Sequence, residues 1–242
     1  MRILVVGAGA IGGYFGGRLV QAGRDVTFLV RERRAAELAA TGLVIDSAAG
    51  NFVNARPSVV LAAELDRWFE LIILSCEAYS LDDAINALAP AVGPDTAILP
   101  LLNGMRQLDV LEARFGAGHV LGGQCAIAAT LGAAGQVVHL NATHELSFGE
   151  RDGVLTERVE AIAEEMRDAV FTARASRHGS ACRRKRGRKG VHRAGEPAGP
   201  ARNVGEMGVS ERACRRHLPD ARGGGRHRAG AGRNAADGCA AR

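Results

Sequence analysis

Three glycines, Gly7, Gly9 and Gly12, stand at G-x-G-x-x-G spacing in the opening run RILVVGAGAIGGYFGGRL, and Arg31 follows Gly12 by 19 residues. In a strand-to-helix bend each glycine has its own task. Gly7 permits the tight turn, Gly9 lets the backbone approach a pyrophosphate, and Gly12 lets helix and strand pack closely. With Ala8, Ala10 and Ile11 between them, they open a helix whose unpaired N–H groups and partial positive charge face phosphate oxygens. The end of the second strand selects the nucleotide. An acid there accepts a hydrogen bond from a ribose 2′-hydroxyl, but here the text is FLVRERR. The Arg31 guanidinium suits a 2′-phosphate through its charge and two-pronged donor geometry, with Arg33 or Arg34 placed to assist. The alternative is a solvated arginine cluster opening the next helix. The pattern points to NADP as the cofactor.

The flanking sequence supplies the scaffold these residues need. Residues 3–6 are a continuous apolar run, as in a parallel strand buried on both faces. Residues 11–22 read as a helix stopped by Gly23, and residues 25–30 as a second strand. ERRAAELAATG predicts a helix, and LVIDSAAGNFVNARPSVV a strand pair turning at Gly50 and Asn51. Residues 70–76, ELIILSC, predict a buried strand, and residues 79–88 a helix. TAILPLLNGM runs from a strand into a helix start at Asn103 and Gly104. HVLGGQCAIAATL, QVVHL and ELSFGE predict three further strands. TERVEAIAEEMRDAV predicts an amphipathic helix with Val159, Ile162, Met166 and Val170 along one face. The fold expected is α/β, a doubly wound Rossmann-type sheet, which binds ligands beyond the carboxyl ends of its strands. Asn103 lies at such an end, able to face cofactor or substrate; its other reading is as a cap of the following helix.

Charge divides the chain. Residues 1–175 carry 14 Arg, no Lys and 21 acids, a net −7, whereas residues 176–242 carry 17 basic residues and 5 acids, a net +12. The last 67 residues hold three Val, one Leu, one Met and no Ile, Phe, Tyr or Trp. So few apolar side chains do not offset the entropy of ordering the backbone, so this segment is expected to be a disordered basic tail. Two divisions follow: a nucleotide-binding domain over residues 1–175 and the tail over 176–242. No window approaches the ~20 apolar residues of a membrane helix, and the opening lacks the long apolar centre of a signal peptide. Five Cys without CxxC spacing fit reduced thiols in a cytoplasm, with Cys76 and Cys125 read as small buried hydrophobes. No metal site is expected.

These residues resemble the ketopantoate reductase (2-dehydropantoate 2-reductase) family: ILVVGAGAIGGYFGGRL at the N-terminus, Arg31 after the second strand, and LLNGM at 101–105. The resemblance covers roughly residues 1–175. It implies NADPH-dependent reduction of the 2-keto group of ketopantoate to pantoate, for pantothenate and coenzyme A synthesis. By resemblance, residues 7–12 hold the pyrophosphate, Arg31 the 2′-phosphate, and Asn103 the nicotinamide side and the small keto-acid substrate. The family commonly places a lysine after the strand at 70–76, whereas this chain reads SCEAYSL, with Glu77 there. A carboxylate at that point repels an anionic cofactor and keto acid that an ammonium attracts.

The family continues into a helical second domain opening near a motif like M-W-E-K-W-V, whose lysine serves as general acid. No such motif follows residue 175, so no catalytic residue is assigned; general acid catalysis supplies about 10²–10⁴-fold. Lys185 and Lys189 lie in unrelated sequence, and His139 and His144 are read as structural. A trace of the motif survives in NVGEMGVSERACRRHLP, residues 203–219. Read from the second nucleotide of each codon, Met207–Gly208 must give tryptophan, and Glu206–Met207 must give lysine or arginine. The tail from about Ser176 is therefore read as a frameshifted version of the helical domain, and the chain as impaired in turnover. Two alternatives stay open: a non-catalytic NADP-binding fragment, or a reductase of another small 2-keto acid. A further rival takes the tail as genuine. The cluster RRKRGRK at 183–189 then attracts phosphate backbones, but with no aromatic residue for base stacking, so nucleic acid is expected to bind only adventitiously.

Overall fold

The computed structural model describes residues 1–102, 104 and 106–177. The apolar run after Met1 forms β1 (Arg2–Val6), buried from Ile3 onward. Ile3 and Val5 enter one apolar cluster, and Leu4 and Val6 the other. Coverage of both faces leaves no polar side, so the sequence runs apolar without alternation.

Helix α1 (Ala10–Gln21) follows the glycine loop. It closes at Gly23, φ +78°, where the Gly23 N–H donates to the Val20 carbonyl at 2.9 Å and the Arg24 N–H to that of Leu19 at 3.0 Å. That pair of bonds is a Schellman closure. Next come β2 (Asp25–Leu29), α2 (Glu32–Thr41), β3 (Leu43–Asp46), β4 (Phe52–Asn54) and β5 (Val59–Val60). β3 and β4 form the expected antiparallel pair, with Gly50 at φ +106° in its turn. Then follow β6 (Phe69–Leu74), α3 (Leu81–Leu88), β7 (Val92–Pro100), α4 (Arg106–Phe115), β8 (Leu121–Leu131), β9 (Val137–Glu150), α5 (Glu157–Glu165) and β10 (Thr172–Ala175).

The first sheet is wholly parallel, in the order β5-β2-β1-β6-β7. Chain order reverses at β1, which is the doubly wound arrangement expected. A second five-stranded sheet is built on β9, with β8 antiparallel along it and β3 and β10 parallel to its other edge.

Helix α1 lies between the two sheets, and its glycines explain how. A Cβ on Gly16 would meet the Phe28 ring at 2.6 Å, and one on Gly17 the Ile45 Cδ1 at 2.6 Å. One on Gly13 would meet Val137 at 2.8 Å. Each helical glycine costs about 1 kcal/mol against alanine; here they allow both sheets to close on one helix and bury Ile3, Val5, Phe28, Ile45 and Val137 in one cluster.

Three elements differ from the sequence expectation. QVVHL and ELSFGE are one continuous strand, β9, because Asn141 supports the chain between them: its Oδ1 accepts the Ala128 N–H at 3.0 Å where the β8–β9 register shifts. The helix expected from residue 79 begins at Leu81, after a single 3₁₀ turn at Ala78–Ser80. Helix α5 ends at Glu165. Val159, Ile162 and Met166 are buried as expected, but Val170 is 37% exposed. Beyond Met166 the chain leaves the helical period, and Ala169 and Phe171 turn inward instead, with Phe171 packed edge-on against Phe15 at 4.9 Å. Among the described residues, no helix is long and apolar enough to cross a membrane. Of the expected basic tail, all but Ser176 and Arg177 lies outside the described residues.

Candidate functional site: the glycine loop and the crevice above it

The crevice of a doubly wound sheet opens where the strand order reverses, here above the carboxyl ends of β1 and β6. Gly7 takes φ +93° as the chain leaves β1, a conformation that favours glycine. Its N–H donates to the Leu29 carbonyl at 2.9 Å. Gly12 is the close-packing position: a Cβ there would sit 2.0 Å from the Gly7 carbonyl oxygen and 2.1 Å from Ser75 Oγ. Gly9 is the reverse, with nothing within 4 Å of its built Cβ. The loop is thus tight on the protein side and open on the other.

Gly9 caps α1 without any side-chain hydrogen bond, and the first turn of the helix holds no acid. The N–H groups of Ala10, Ile11 and Gly12 have no intrahelical acceptor by helix geometry. No carboxylate of the first turn competes for them, so the site fits an anionic group such as a pyrophosphate.

Two side chains that the sequence reading missed or misassigned stiffen this loop. The Ser75 hydroxyl lies 2.9 Å from the Val6 carbonyl and 3.1 Å from that of Gly7, tying the end of β6 to the glycine turn. Arg34, read from sequence as a phosphate ligand in reserve, is a strut. Its Nε donates to the Ala8 carbonyl at 3.0 Å and a terminal nitrogen to that of Gly135 at 3.0 Å, while the other pairs with Glu37 at 3.0 Å. Its donors are turned to the protein. Arg33 is exposed and pairs with Glu37 at 3.6 Å.

Arg31 caps α2 beyond the end of β2. Its side chain is 74% exposed and meets the Asp83 carboxylate, in the first turn of α3, at 3.2 Å. Glu77 is exposed in the segment between β6 and α3. Burial pushes the Cys76 thiol above its ordinary value, with Glu77 acting the same way and Arg31 against it. Burial likewise raises Cys125, so neither is a ready thiolate. Asn103 lies outside the described residues. Its neighbours are held by buried Gln107, whose amide donates to the Leu102 carbonyl at 3.1 Å and that of Gly104 at 2.5 Å.

His139 and His144 lie elsewhere, on β9, where they meet Tyr14 of α1. The Tyr14 hydroxyl meets His144 Nδ1 at 2.6 Å, and Ser47 Oγ meets His139 Nδ1 at 2.9 Å. The other His139 nitrogen faces the Thr143 carbonyl at 3.1 Å. A carbonyl only accepts, so Nε2 carries a proton. A cavity of about 930 Å³ lies along α5 and β10, lined in part by Leu155, Glu160, Arg167 and Phe171. None of its lining belongs to the glycine loop, and it offers no phosphate-binding turn. No group of three or more His, Cys, Asp or Glu among the described residues is placed to hold a metal.

Fold and loop together define a doubly wound nucleotide-binding-type domain with an open anion cradle at its switch point. Residues 3–153 match the family described as ketopantoate reductase PanE/ApbA, and the chain belongs to that family. The uncharacterized oxidoreductase YkpB of Bacillus subtilis (strain 168) is 45% identical over 164 residues, 68% of this chain and 54% of YkpB. The crystal structure of 2-dehydropantoate 2-reductase from Geobacter metallireducens GS-15 superposes with a TM-score of 0.67 at 32% identity, covering 73% of this chain and 58% of that one. A ternary structure of D-mandelate dehydrogenase with NADH and anilino(oxo)acetate gives a TM-score of 0.64 at 25% identity, over 74% of this chain and 57% of that one. The chain thus spans little more than half the length of these relatives.

Proposed function

We propose that residues 1–175 bind a nicotinamide dinucleotide across the carboxyl ends of β1, β2 and β6, and that the dinucleotide is NADP. The observation that carries this reading is the contrast within one loop: Gly12 has no room for a methyl group, whereas Gly9 faces open space beside unpaired helix N–H groups. Ala8, Ala10 and Ile11 complete the cradle, and Arg31 supplies the cation for a 2′-phosphate. The bound nicotinamide would supply the hydride that reduces a keto group.

The reaction is NADPH-dependent reduction of 2-dehydropantoate to pantoate, the step that feeds pantothenate and coenzyme A synthesis, with Asn103 orienting the small keto-acid substrate. Similarity to 2-dehydropantoate 2-reductases supports this assignment. D-Mandelate dehydrogenase, of like fold, is bound with NADH and an oxoacetate. Residues 1–175 contain no lysine to protonate the forming alkoxide, and we assign no general acid. The chain as written is a dinucleotide-binding unit of low turnover, acting where a cytoplasmic reductase acts.

Two measurements test this together. NADPH fluorescence is titrated with the 242-residue chain, and NADPH oxidation with ketopantoate is followed for that chain and for one restored to the shifted reading frame after residue 175. Binding by both, with turnover only in the restored chain, is expected. Strong turnover in the unrestored chain refutes the account of the tail, and absence of NADPH binding refutes the cofactor assignment.

A further inference from the structure

β1 lies between β2 and β6 in the first sheet. Arg31 follows β2, and Asp83 stands in the first turn of the helix that follows β6. Their 3.2 Å ion pair therefore bridges the carboxyl ends of two strands that flank the glycine loop. Both side chains are largely exposed, at 74% and 80%, so among the described residues the pairing with Asp83 is what holds the guanidinium. The adenosine end of a dinucleotide that starts on the glycine loop and extends toward Arg31 meets the bridge. A ribose with two free hydroxyls needs no cation there, whereas a 2′-phosphate needs Arg31 and meets Asp83 as a like charge within a few ångströms.

We propose that Asp83 is a specificity-determining residue of this chain, holding Arg31 in an ion pair that a 2′-phosphate must break, and so narrowing the advantage of NADPH over NADH. This rests on the reading that residues 7–12 and Arg31 bind the dinucleotide. At ~0.15 M salt, charges beyond about 8 Å are largely screened, so the effect belongs to the group in contact with Arg31 and not to the net charge of the domain. Exposed ion pairs are individually weak, and loss of direct repulsion on a phosphate adds to what is released. D83N is therefore expected to tighten NADPH about three- to tenfold and to change NADH less than twofold.

The experiment titrates NADPH and NADH fluorescence with the full chain, with D83N, with R31Q and with the double variant, after circular dichroism confirms that each is folded. R31Q is expected to weaken NADPH at least tenfold with NADH nearly unchanged, and D83N to tighten NADPH less in the R31Q background than in the full chain, because only the direct repulsion is then removed. If D83N leaves NADPH unchanged, or tightens both nucleotides equally, while R31Q abolishes the difference between them, the role of Asp83 is refuted and the Arg31 reading survives. If R31Q moves neither nucleotide, or neither binds the full chain, the dinucleotide reading falls and this inference falls with it.

Discussion

Gly9→Ala and Gly12→Ala add the same methyl group three residues apart, and the structure assigns them opposite effects. At Gly12 the Cβ would lie 2.0 Å from a backbone carbonyl oxygen and 2.1 Å from Ser75 Oγ. Carbon and oxygen in ordinary contact stand more than 3 Å apart, so the helix must move by about 1 Å. The serine can rotate away, but the carbonyl belongs to a turn fixed by the Gly7 bond to Leu29. Overpacking of this kind costs about 1–3 kcal/mol, which for a domain of this size lowers the melting temperature by about 3–10 °C. At Gly9, φ is −81° and no atom beyond the chain neighbours lies within 4 Å of an added Cβ, so alanine costs only the N-cap preference for glycine, about 0.5 kcal/mol or about 2 °C in melting temperature. On the proposed reading its methyl stands where a pyrophosphate approaches, and NADPH affinity is then expected to fall at least tenfold, about 1.4 kcal/mol. Thermal melts without ligand and fluorescence titrations with NADPH separate the two. A Gly9→Ala chain that binds NADPH like the unmodified chain refutes the placement of the pyrophosphate on this loop. A Gly12→Ala chain that melts at the unmodified temperature refutes the close-packing argument.

Arg34→Ala removes the strut between the Ala8 and Gly135 carbonyls. Calorimetry should show a loss of about 2 kcal/mol, with NADPH binding weakened but its margin over NADH kept. Glu150 is paired through both oxygens with Arg158 at 2.6 Å and accepts the Thr156 hydroxyl at 2.7 Å. Burial pushes its carboxyl up, but these bonds and the Arg158 charge outweigh burial and hold it below the ordinary carboxylate range. Its stabilisation is therefore full at neutral pH and lost as pH falls below about 4.3 and through the folded value. Urea midpoints should show E150Q less stable by about 1–2 kcal/mol at pH 7 and closer to the unmodified chain in acid. His144 is held below its ordinary value by burial, then by His139 and Arg18, with Glu145 opposing. Its contribution is present above about pH 6.5 and declines as pH falls, so H144N should lose less stability than the unmodified chain between pH 6.5 and 5.

Much of the fold was legible because its signals are local. The apolar run of β1, the Gly23 stop and the glycine spacing each act within a few residues, and each stands where the sequence placed it. The second sheet was not legible as a separate layer, nor was β9 as one strand. QVVHL and ELSFGE were read as two strands, and only the Asn141 bond to Ala128 across the bulge shows that the chain runs on as one. Val170 misled in the same way, since helical period says nothing about where a helix stops. At the candidate site, the turn at Gly7 and the close packing at Gly12 were read from the sequence, whereas Arg34 looked from sequence like a ligand beside Arg31. Three protein partners turn it into scaffold.

The sequence by itself determined the loop's chemistry. Glycines at this spacing after a buried strand suit an anion, and an arginine at the end of the next strand suits a phosphate, because those properties belong to single residues and short spacings. Only the tertiary structure decided which donors remain available. Asp83 reaches Arg31 from 52 positions away, Ser75 reaches Val6 from 69, and Arg34 reaches Ala8 from 26. A hydrogen bond or ion pair depends on distance in space, and no local pattern in a chain encodes which far segments the packing of two sheets around one glycine-rich helix will bring together.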